Sequence, residues 1–136
     1  MKLNLETIRS LLLYLESNLT VSEDEGFESI DYRQISSDTG ISAPEVINTL
    51  FVLGEAHFIT ISADSGDGCF DELLVNRITY DGYQFLDAVR PKTIWQKLLK
   101  AGAIVGSYSL SVMNPVASQL LSAELLNAIG KLKDGV

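Results

Sequence analysis

Apolar residues recur with a helical period from the start of the chain. Leu5, Ile8, Leu12, Leu15 and Leu19 stand at i, i+3, i+7, i+10 and i+14, one face of a helix over about residues 4–19. Residues 20–29 are polar and acidic, contain Gly26 and show no periodicity, so they read as a loop. Residues 30–39 read as a short second helix that stops at Gly40, because a residue without a Cβ suits the left-handed position after a helix. Ser42, Ala43, Pro44 and Glu45 then carry a capping-box signature. The serine oxygen would take an amide of the first turn, the glutamate would reach back, and the proline sacrifices no helical hydrogen bond. Val46, Ile47, Leu50, Phe51 and Leu53 are the expected buried side of this third helix, which ends at Gly54.

Beyond it the period shortens to two. Residues 57–62 alternate as a half-buried strand does, a glycine-rich turn follows at 64–68, and a second strand returns over about 73–79. Thr79 is placed to cap the next helix, which holds Tyr80, Phe85 and Leu86. Ile47, Leu50, Phe58, Ile78 and Phe85 are expected to be buried together, since their spacing leaves them no other apolar face. Three helices, a hairpin and a further helix predict an α+β fold: a winged helix-turn-helix over residues 1–90, with a two-stranded wing.

Residues 91–136 read as a helical C-terminal extension, with one helix at about 92–101, a small-residue linker and a second helix from about 110 or 115. Ala117, Leu121, Leu125, Ala128 and Leu132 line one face of that last helix. A winged-helix core of about 90 residues closes without it. The stripe therefore points to dimerisation or to a protein partner, with Leu121 and Leu125 as its candidates.

The run Ile78-Thr79-x-x-Gly82-x-x-Phe85-Leu86 resembles the wing-exit pattern of many bacterial winged-helix proteins. The opening Met1 to Arg9, the stretch Leu11 to Glu16, Tyr80 to Asp87, and Ile94-Trp95 are together similar to domain-of-unknown-function family 2513, small phage and bacterial proteins, over about residues 1–100. The resemblance implies a winged-helix fold and frequent occurrence in phages and prophages. It implies no activity and carries over no functional residue. The chain departs from the pattern at Glu55-Ala56-His57, where a glycine or a small apolar step is usual.

Charge changes the functional picture. The formal net charge is -8, yet residues 1–90 sum to −11 and residues 91–136 to +3. Between residues 34 and 76, which span the third helix and the wing, there is no Lys or Arg, while Asp38, Glu45, Glu55, Asp64, Asp67, Asp71 and Glu72 are present. A duplex is a dense line of phosphates, so this surface would be repelled by DNA. The expected activity is binding of a protein partner through the acidic surface, the apolar C-terminal helix, or both. Glu45, Asn48, Thr49, Glu55, Asp64, Asp67, Asp71 and Glu72 are the candidates on the acidic surface. Asn48 and Thr49 have the chemistry to read a base edge, but on an acidic helix solvated polar side chains are the simpler reading. The alternative is a transcription regulator that contacts DNA through atypical bases, Arg33, Arg77, Arg90, Lys97 and Lys100.

Catalysis is not expected. One histidine and one cysteine supply neither a zinc ligand set nor a nucleophile with an oriented base. His57 reads as a packing or hydrogen-bonding residue, and Cys69 as an inert thiol without a basic neighbour. The wing carboxylates miss the EF-hand register, so neither a metal nor any other cofactor is called for. The unpaired cysteine and the absence of a signal-peptide pattern at the start lead to an expected place in the cytoplasm. No stable membrane span is expected from 101–123, uncharged but interrupted by serines, Asn114, Pro115 and Gln119.

Overall fold

The computed structural model describes residues 1–66, 69–106 and 109–134. Its elements are α1 (Leu5–Asn18), β1 (Thr20–Ser22), β2 (Gly26–Glu28), β3 (Ile30–Asp31), α2 (Tyr32–Thr39), α3 (Ala43–Glu55), β4 (Ile59–Gly66), β5 (Cys69–Ile78), α4 (Tyr80–Val89), α5 (Lys92–Val105) and α6 (Leu110–Asp134). The fold class is α+β, helices with antiparallel sheets. The chain divides into two units, Met1–Tyr83 and Gln84–Val136.

In the first unit, α1 starts at Asn4, whose side chain accepts from the Glu6 amide at 2.9 Å. Leu5, Ile8, Leu12 and Leu15 are buried, as the period required, Leu11 is buried beside them, and Leu19 sits half-buried at the cap. Tyr14, on the flank, donates to Asp38 at 2.6 Å. Burial, and then the adjacent Asp38 carboxylate, push its hydroxyl up to about 12.

The capping box is not formed. Ser42 makes no side-chain cap bond, and Glu45 instead accepts from the Thr7 hydroxyl at 2.6 Å, joining α1 to α3. A charge-assisted bond to a buried hydroxyl outweighs a solvent-exposed reach back to the helix start. Glu45→Ala is therefore expected to cost about 1–3 kcal/mol, because Thr7 is left unpaired at 5% exposure. Ser42→Ala should stay within about 0.5 kcal/mol. Urea denaturation of the two variants separates these cases; equal losses would reinstate the capping box.

Residues 20–29 are not a plain loop, as β1 and β2 pair in an antiparallel hairpin, Thr20 opposite Glu28 and Ser22 opposite Gly26. Both strands are largely exposed on both faces, which removes the alternation by which a strand is read. Likewise Ile30 and Asp31 belong to β3, not to the second helix. Asp31 caps α2 by accepting from the Arg33 amide at 2.7 Å, and Gly40 closes that helix in the left-handed region, φ 76.

The principal sheet has the order β3-β5-β4. Thr60 faces Arg77 but Ile61 faces Val75, so Asn76 is an extra residue in β5. This bulge is what turns Val75 and Ile78, three positions apart, both into the core. Asn76 is itself held at both ends of its amide, accepting from Ser29 Oγ at 2.7 Å and donating to Ser62 Oγ at 2.9 Å.

On α3 the inward side chains are Val46, Thr49, Leu50 and Leu53. Ile47, expected in the core, is only half-buried, as is Phe51. Five apolar residues from 46 to 53 span too wide an arc for one face, and the ridge 46, 50, 53 takes the inside. Leu50, Phe58 and Ile78 are buried in the first unit, and Phe85 is buried in the second. The helix runs one residue past Gly54, and His57 supplies the left-handed step at φ 64. Its carbonyl accepts from Thr79 Oγ1, which also caps α4 by accepting from the Gly82 amide at 3.1 Å.

In the second unit, α5 extends to Val105, so residues 102–105 are helical and not a linker; Gly106 ends it at φ 80. The helix α6 begins at Leu110 with Pro115 inside its second turn. Ile94, Trp95, Leu98, Met113 and Ala117 are buried, and Lys97 pairs with Glu124 at 3.3 Å. Among the described residues no helix is long and apolar enough to cross a membrane.

Candidate interaction surface

The outward side of α3 and the adjoining β4 form a shallow cavity of about 380 Å³ within the first unit. Phe51, Gly54, Ile59 and Ile61 make its apolar lining, with Glu55, His57 and Thr60 as the polar members. Pro44, Ile47, Asn48 and Val52 continue the outward side of the helix. Sequence reasoning missed the cavity because it assigned Ile47 and Phe51 to the core. The signal was present in the second ridge, Ile47 and Phe51 at i and i+4, beside the one that packs inward.

The candidate acidic residues do not act as one cluster. Asp64 and Glu72 are direct cross-strand partners on the hairpin, both exposed, with Asp71 exposed next to them. Like charges placed opposite each other across a ladder repel, so this end of the hairpin favours a cation or a basic side chain. Asp67 lies outside the described residues. Glu55 is exposed at the end of α3, whereas Glu45 is committed to Thr7. Thr49 is 1% exposed and so is unavailable to any partner, contrary to the reading of a solvated side chain; it falls on the inward ridge between Val46 and Leu50. Asn48 remains half-buried on the outer side. Among the described residues no three His, Cys, Asp or Glu side chains are grouped so as to hold a metal ion.

The candidate nucleic-acid contacts are largely engaged within the chain. Arg33 pairs with Asp31 at 3.4 Å and lies over the Tyr32 ring at 4.7 Å. Arg77 lies over the Phe27 ring at 5.2 Å and donates to the Ile78 carbonyl at 3.4 Å. In the second unit, Arg90 pairs with Asp87 at 2.6 Å and Lys97 with Glu124, while Lys100 is exposed. Exposed ion pairs of this kind are weak and exchangeable, so they lower but do not abolish the capacity to meet a phosphate.

The helical residues at the C-terminus are placed differently from one another. Ala117 is buried and Leu121 half-buried, but Leu125 and Leu132 are exposed by 56% and 71%.

With this geometry in hand, comparison with known proteins adds a family. The profile described as hypothetical protein (DUF2513) matches residues 2–109. The chain belongs to this family. No curated protein matches it. Among solved structures it is similar to S. aureus MepR in a crystal structure of a MepR-DNA complex, at 17% identity and a TM-score of 0.45, over 93% of this chain and 78% of that one. The family match covers α1 through α5, including the α3 and β4 cavity and the hairpin, and it ends just before α6.

Proposed function

We propose that residues 1–90 are a winged helix-turn-helix domain that docks a protein partner on the outer face of α3 and the β4–β5 hairpin, without catalysis. The element order supports the winged-helix reading. The helices α2 and α3 are joined by a short turn pinned by Ser36 Oγ donating to the Ile41 carbonyl at 2.6 Å, and β4 and β5 follow as the wing, with β3 added to β5. The observation that carries the partner class is the apolar α3 and β4 cavity beside a hairpin on which Asp64 faces Glu72, in a stretch without Lys or Arg. Such a face suits a peptide segment that inserts an apolar side chain and presents Lys or Arg to the hairpin. A phage or prophage setting and a cytoplasmic location complete the proposal.

The second reading is a DNA-binding regulator that uses Arg33, Arg77, Arg90, Lys97 and Lys100. The helix-turn-helix order and the exposed Arg33 at the start of α2 favour it. Fluorescence anisotropy with duplex fragments across a salt series, run beside affinity capture from host extract, separates the two. The expected result is no duplex binding tighter than about 10⁻⁴ M at physiological salt, with a captured protein lost on Ile47→Lys and on the Asp64→Lys, Glu72→Lys pair. Micromolar duplex affinity abolished by Asn48→Ala, or by Arg33→Ala with Arg77→Ala, would put the second reading first.

A further inference from the structure

The second half of α6 keeps an apolar face in solvent. Leu125, Leu126, Ile129 and Leu132 are exposed by 56, 70, 49 and 71%. Four large aliphatic side chains within two turns form a patch of the kind that monomers seldom leave open. Its spacing has a further property. Leu121, Leu125, Ala128 and Leu132 are separated by 4, 3 and 4 residues, the alternation of a coiled-coil seam, and the series reads the same in either direction.

A seam that is its own reverse can pair with a second copy of itself running antiparallel. With the two-fold axis between residues 126 and 127, Leu121 meets Leu132 of the partner copy, and Leu125 meets the partner's Ala128. The leucine then fills the space the alanine leaves, and every layer is occupied. Charge points the same way. Glu124 and Lys131 occupy equivalent positions seven residues apart on the same flank of the seam. In the antiparallel arrangement Glu124 lies about 3 Å along the axis from the partner's Lys131, from the rise of 1.5 Å per residue. Two symmetric ion pairs result. In a parallel arrangement that flank meets the opposite flank of the partner helix, where Glu124 would face the partner's Ile129, and the Glu124–Lys131 ion pairs are lost. Glu124 is half-exposed and, among the described residues, its Oε1 alone is engaged, by Lys97 at 3.3 Å, so its second oxygen can take the partner's lysine.

We infer that α6 is a self-association surface, through which two copies of this chain join by antiparallel pairing of Leu121, Leu125, Ala128 and Leu132, with Glu124 set against the partner's Lys131. The arrangement is isologous and closes at two copies. It does not depend on what α3 and the hairpin bind.

Sedimentation equilibrium of the full chain at low salt tests it. A dimer is expected at about 50 µM, a concentration at which a specific pair is populated. Leu125→Glu, on an exposed position, should weaken dimerisation at least tenfold. Lys131→Glu and Glu124→Lys should each weaken it several-fold, and combining them should restore most of the loss. A wild type that stays monomeric at that concentration overturns the inference. So does a dimer indifferent to Leu125→Glu, and so does a double charge reversal no tighter than the single ones, which would mean that the pairing is not antiparallel. Circular dichroism of each variant excludes unfolding as the source of a loss.

Discussion

Replacing Gly82 with alanine is expected to destabilise the protein by about 3 kcal/mol, the upper end of what an inserted methyl costs in a packed site. A Cβ at this position would overlap the Phe58 carbonyl oxygen and stand 2.8 Å from Ile78 Cγ2. Neither neighbour has room to yield. The Phe58 carbonyl accepts from the Thr79 amide at 3.0 Å, and Ile78 is 1% exposed in the core. The first turn of α4 is thus laid directly on the backbone that opens β4, and only glycine allows that approach. Gly130, on exposed α6 with nothing within 4 Å of its own would-be Cβ, is the matched control: alanine there should be neutral or stabilising by up to about 1 kcal/mol, from helix propensity alone. Thermal unfolding compares the two. A Gly82→Ala variant within about 0.5 kcal/mol of wild type would refute the close crossing.

Leu50→Ala should cost about 2–5 kcal/mol, as expected for an aliphatic side chain removed from a closed core. Leu50 is 0% exposed on the inner ridge of α3. Ile47→Ala, one residue before Asn48 on the outer side, should cost about 1 kcal/mol or less because a half-buried side chain loses little packing on truncation. The contrast decides which ridge of α3 faces inward, and with it whether Ile47 and Phe51 are free for a partner. Equal losses in guanidinium unfolding would put Ile47 back in the core and remove the outer face from the proposed docking surface.

How the two ridges of α3 are shared shows where sequence reasoning stopped. Helices, hairpin and order were legible because their cues are local: the 3.6-residue period of Leu5 to Leu15, glycine after α2, the change to period two after residue 57, and Thr79 before α4. The wing-exit glycine was also visible as a pattern, but not its reason, which is a contact with Phe58, 24 positions earlier in the chain. Glu45 stood where a capping box predicts it, and its carboxylate went to Thr7, 38 residues away, since no local rule weighs a distant buried hydroxyl. Thr49 looked solvated by type and is buried by position.

The candidate surface divides in the same way. That residues 34–76 hold no Lys or Arg is a property of composition, independent of any fold, and it bears on DNA whatever the geometry. That Asp64 stands against Glu72 needed the strand register, and that register needed the bulge at Asn76, where one extra residue shifts the pairing and turns Val75 and Ile78 to the same side. The stripe on α6 was evident from periodicity, but which part of it is covered was not: Ala117 is buried while Leu125 and Leu132 remain in solvent. Sequence by itself determined the periods, the charges and the caps at Gly40 and Thr79, because backbone geometry and side-chain chemistry act over one or two turns. Only the tertiary structure decided which apolar ridge is inside, which carboxylate is already engaged and which face stays open, because those outcomes depend on neighbours far along the chain.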